Sequence, residues 1–136
     1  MTRSASTRNP SASILRTPVT IDAMAAVTPK IDIPEKSVGP VNYYANTRHN
    51  QSDNWFRFEY RLINGEWLSY ILRMPSLEGR DPNLHITHRY CNGVSHWVCY
   101  DPQPKTLEDA RIVSKAWADR ELEYISTGIA FEQQNW

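Results

Sequence analysis

The stretch WFRFEYRLINGEWLSYILR, residues 55–73, decides how the rest of the chain is read. Two runs that alternate apolar and polar side chains flank Asn64-Gly65. Asn-Gly suits a type I′ turn, because both central residues need positive φ and that turn follows the twist of paired strands. The stretch therefore predicts a β-hairpin with strands at 55–63 and 66–73. Its turn also sets the faces. Phe56, Phe58, Tyr60, Leu62, Trp67 and Ile71 share one side, which reads as the core, and Arg57, Glu59, Arg61, Leu68, Tyr70 and Leu72 share the other.

A second pair, Asn92-Gly93, stands inside HITHRYCNGVSHWVC (85–99) and predicts strands near 84–91 and 94–100. As a two-residue loop it opposes Cys91 to Val94, Arg89 to His96 and His88 to Trp97. Leu84, Ile86, His88, Tyr90, Trp97 and Cys99 then face the core, while His85, Thr87, Arg89, Cys91, Val94, His96, Val98 and Tyr100 face outward. This stretch holds both cysteines and three of the four histidines, a donor set that invites a zinc reading. The register argues against it. Cys91 and Cys99 point to opposite sides, which also excludes a disulfide between them, and His85 and His96 lie ~13 Å apart along the ladder. The expectation is no metal and no cofactor.

A helix comes next. Thr106 is placed to cap it, with Asp109 three residues on, and Gly128 is placed to stop it. Over 107–127, Leu107, Ala110, Val113, Trp117, Leu122 and Ile125 fall within one half of the wheel, with Ser114, Glu121 and Arg111 intruding. At 1.5 Å per residue the helix spans ~30 Å, enough to cross a four-stranded sheet.

Residues 1–40 contain five of the nine prolines and no aromatic residue, whereas all fifteen aromatics lie from Tyr43 onward. That shift divides the chain into a disordered arm, 1–40, and one folded domain, 41–136. The arm is rich in Ser, Thr and Arg, but Pro10 and Pro18 interrupt any amphipathic targeting helix, so it reads as a flexible tail. The fold class expected is α+β: a four-stranded antiparallel sheet of two hairpins with one C-terminal amphipathic helix on one face, ββββα.

At 136 residues the chain has room for one core. Fifteen basic side chains balance fifteen acidic ones, so no global field draws it to nucleic acid or membrane. The longest apolar run, AMAAV at 23–27, is far shorter than a spanning helix. Two cysteines without a secretion signal suit a reducing, cytoplasmic setting. The chain has no Gly-rich phosphate loop, G-x-S-x-G elbow or H-E-x-x-H, and Cys99 and His96 fall on opposite faces, so no catalytic residue is expected.

The outer sheet face carries the functional expectation. Arginines interleaved with aromatics suit phosphate contact plus stacking. Arg57, Arg61, Tyr70, Arg89, His96 and Tyr100 are the candidate binding residues. Leu68, Leu72 and Val98 on the same face favour a protein partner instead. GEWLSYI (65–71), followed by WVCYDPQPKTLEDARIVSKAWAD (97–119), resembles AP2-type and integrase amino-terminal DNA-binding domains. Gly65 and Trp67 match their strand, and Thr106, Asp109 and Ala110 match their helix start. The resemblance implies that Arg57, Arg61 and Arg89 enter a DNA groove. The segment from WLSYILR to YISTGIAF is also similar to small proteins of bacterial phages and conjugative elements. The expectation is thus a non-catalytic accessory or regulatory protein of a mobile element that binds nucleic acid. Its alternative is a module that binds or inhibits a host defence or replication protein.

Overall fold

A computed structural model describes residues 33–46, 48–49 and 51–135; the expected arm, up to residue 32, lies outside the described residues. Among the described residues, five strands form one antiparallel sheet: β1 Lys36–Tyr44, β2 Trp55–Ile63, β3 Glu66–Arg73, β4 Arg89–Cys91 and β5 His96–Val98. Their spatial order is β1-β2-β3-β5-β4. A one-turn helix, α1 Leu84–Thr87, precedes β4, the long helix α2 Leu107–Thr127 follows β5, and a short 3₁₀ turn, Phe131–Gln133, comes last. The molecule is α+β, with five strands where four were expected.

The first hairpin forms as expected. Asn64 and Gly65 take positive φ (53° and 78°), and the pairs Ile63–Glu66, Leu62–Trp67 and Phe58–Ile71 result from that turn. Phe56, Phe58 and Tyr60 are fully or almost fully buried. They meet α2 through edge-on contacts of Phe56 and Phe58 with Trp117 at 5.6 and 6.1 Å between ring centroids. Such contacts add about 0.5–1.5 kcal/mol each to the burial itself. The helix has the expected ends: Thr106 Oγ1 accepts from the Asp109 amide at 3.1 Å, and Gly128, at φ 78°, donates its amide to the Tyr124 carbonyl.

Three expectations are corrected. The sheet has a fifth strand, β1, paired with β2 from Lys36–Leu62 to Tyr44–Trp55, so residues 36–40 belong to the fold and not to an arm. Gly39-Pro40 hid it. A proline cannot donate to a ladder, but an edge strand tolerates it, and a register shift between Val38 and Val41 absorbs the pair. Second, residues 84–87 are helical rather than extended. Asn83 Oδ1 accepts from the His85 amide at 2.8 Å and starts the turn, and His88, at φ 56°, ends it.

Third, the second hairpin turns one step later than expected. Gly93, at φ 92°, and Val94 form the reversal, where glycine in the first central position suits a II′ turn. The Asn92 amide donates to Ser95 O, and Asn92 Oδ1 accepts from the amides of Val94 and Ser95. Cys91 therefore pairs with His96, Tyr90 with Trp97 and Arg89 with Val98. Within the strands themselves, Arg89, Cys91, His96 and Val98 stay on one side and Tyr90 and Trp97 on the other, as sorted, but the two faces are exchanged. Trp97 pairs with Tyr70 of β3 and so joins the outer side, while Val98 is buried against the helix side.

Candidate nucleic-acid interface

The sheet face away from α2 carries two clusters in which arginine lies over an aromatic ring. Trp55 starts β2, with the Arg73 guanidinium 4.0 Å and the Arg57 guanidinium 5.5 Å from its ring centroid. A bulge puts Arg73 there: Phe58 faces Ile71 but Arg57 faces Arg73, so Leu72 is the extra residue and β3 changes phase. Arg73 is held by Asp53 at 2.9 Å and by the Trp55 carbonyl, and Arg57 Nε donates to Asn42 Oδ1 of β1 at 2.9 Å.

The second cluster runs across the strands. Arg61 of β2 sits 4.0 Å over the Tyr70 ring of β3. Tyr70 lies 5.4 Å from Trp97 of β5, and Trp97 lies 5.9 Å from Tyr90 of β4. Tyr70 is nearly covered, whereas Trp97, Tyr90, Arg61 and Trp55 are half-buried. Arg61 also reaches back to Glu59, its Nε donating at 2.7 Å. Cation–π contacts of this kind contribute about 0.5–2 kcal/mol each and hold the guanidinium groups flat on the sheet.

Of the six candidate residues, Arg57, Arg61 and Tyr70 share this face. Arg89, His96 and Tyr100 do not. Arg89 lies on the helix side, donating to Thr87 Oγ1 at 2.8 Å and to Pro82 O at 3.1 Å, close enough to buried Glu121 to draw that carboxyl's pKa down against its burial. His96 shares that side, and burial together with the Arg89 charge holds its pKa below the ordinary histidine value. Tyr100 borders a groove of about 590 Å³ on the helix side, walled by Ile112, Ala116 and Trp117 of α2 and by Phe131. His88 closes one end of that groove, stacked 4.3 Å from Phe131 and bonded to Glu132 at 3.1 Å. In their place the structure brings Arg73, Trp97 and Tyr90 to the outer face. The bulge that delivers Arg73 left no mark in the sequence. Trp97 and Tyr90 are visible there as large rings near one turn, but their apolar character assigns them to the core side, and only the pairing of Trp97 with Tyr70 puts them outside.

Among the described residues, no three His, Cys, Asp or Glu side chains gather as a metal site would require, and no helix is long and apolar enough to cross a membrane. No family model, no curated protein and no solved structure matches this chain. The candidate surface is therefore defined by its own geometry.

Proposed function

We propose that this is a non-catalytic binding protein that contacts nucleic acid through the outer sheet face, with Arg57, Arg61 and Arg73 meeting phosphates beside the rings of Trp55, Tyr70 and Trp97. The observation that carries the reading is the pair of arginine–aromatic clusters on a sheet face that α2 leaves uncovered. Arginine gives charge-assisted, bidentate phosphate contacts, and aromatic rings beside it supply stacking surface. An accessory or regulatory role in a mobile element is part of the same proposal. The half-buried cysteines Cys91 and Cys99 suit a cytoplasmic setting.

A protein partner is the second reading, favoured by Leu72, 46% exposed on the same face. Salt separates the two. Affinity for nucleic acid falls as salt rises, by a slope set by the phosphates neutralised, whereas an interface centred on Leu68 and Leu72 is nearly indifferent to salt. In an electrophoretic shift assay at low salt, the intact chain should retard nucleic acid, Arg57→Ala/Arg61→Ala should weaken it about tenfold or more, and Tyr100→Ala should leave it unchanged. Absence of retardation by the intact chain would refute the proposal.

A further inference from the structure

We infer that the outer face takes single-stranded rather than duplex nucleic acid, an inference that rests on the reading just given. Width is the first reason. The row from Arg61 through Tyr70 and Trp97 to Tyr90 crosses β2, β3, β5 and β4. Three steps between strands cover ~14 Å, which exceeds the ~12 Å major groove of B-DNA, and β1 widens the sheet further. A groove that admits a two-stranded ribbon cannot seat this face, so the row cannot read the base edges of a duplex.

Chemistry is the second reason. Trp97 is half-buried between two tyrosines, and Trp55 is half-buried beneath two arginines. Ring faces bind bases by stacking, and only unpaired bases have faces to give. Charge is the third. The face brings Arg57, Arg61 and Arg73 against Glu59 and Asp53, which already bond Arg61 and Arg73. That is far fewer charges than the roughly six to ten phosphate contacts of a strongly salt-dependent duplex binder. It is enough to align one strand whose affinity comes from its bases. The shared ligand chemistry is a phosphate backbone with unpaired bases, whether DNA or RNA.

Tryptophan fluorescence provides the test. The intact chain is titrated with a short oligothymidylate, a short oligouridylate and a mixed-sequence duplex of matched length. Either or both single strands should quench the emission and bind at least about tenfold tighter than the duplex, with log affinity falling against log salt at a slope of only about −1 to −2. Trp97→Ala should cost about tenfold in single-strand affinity. Tyr90→Ala and Trp55→Ala, checked for folding by circular dichroism, carry the same test if Trp97→Ala does not fold. Equal or tighter binding of the duplex overturns this inference while the nucleic-acid reading stands. Single-strand binding indifferent to all three ring substitutions also overturns it. Failure of every probe to bind at low salt removes both.

Discussion

Glu121 sits on α2 with no exposed surface, and neither carboxylate oxygen has a hydrogen-bond partner among the described residues. Burial raises its pKa to about 8, with the Arg89 charge opposing the rise. The native state thus keeps a proton that the unfolded chain sheds near pH 4.5, so stability from this group is complete below pH 4.5 and is lost as pH rises toward 8. Glu121→Met, of similar volume and without charge, should flatten that dependence and stabilise the fold by a few kcal/mol at pH 8. Urea unfolding of both chains at acid and mildly alkaline pH checks it: the midpoints should converge in acid and diverge in alkali. Glu121 is visible in the sequence as an acid intruding on an apolar helix stripe. Arg89 as its neighbour is not, because the face Arg89 takes is set by the docking of Trp97 on Tyr70 and not by its own hairpin.

The hairpins show why some elements are legible and others are not. Asn64-Gly65 fixes a register by local geometry alone, so β2, β3 and the faces of both are set by a few adjacent residues. Helix α2 is equally legible because its cap, stripe and stop all lie within its own sequence. Thr106→Ala removes the acceptor for the Asp109 amide and should cost about 1 kcal/mol, read as a lower thermal midpoint by circular dichroism. The second hairpin differs because its turn is reset by one side chain and its docking is not local. The Asn92 side chain captures two amides and moves the reversal onto Gly93-Val94, and the loop from Met74 to Asn83 sets no phase between β3 and β4. Which face Trp97 takes is decided by its pairing with Tyr70, twenty-seven positions away in sequence. Half of the candidate site was therefore legible: Arg57, Arg61 and Tyr70 are placed by the first turn, and the rest depends on how one hairpin docks on the other.

Long-range ties hold the connections to the helix. The end of β1 and the segment after it are fastened to α2 by Asp119, which accepts from the Tyr43 hydroxyl at 3.0 Å and the Asn46 amide at 2.8 Å, and by Glu123, which meets Arg48 and His49 at 3.2 Å. Burial, with help from Asp119, pushes the Tyr43 hydroxyl up to about 12. These ties make β1 part of the core assembly, since Val38 and Tyr43 pack against it. They also leave β1 as one of the two edge strands, where Pro40 and the phase shift beside Gly39 interrupt its outward-facing hydrogen-bonding groups. Such interruptions are how sheets discourage end-on growth. A chain shortened to begin at residue 41 would strip the partners Lys36, Ser37 and Val38 from Leu62, Arg61 and Tyr60, and bare a regular stretch of β2 without that safeguard. Light scattering should find the shortened chain self-associating at concentrations where the intact chain does not, because the bared backbone is a template for a second copy.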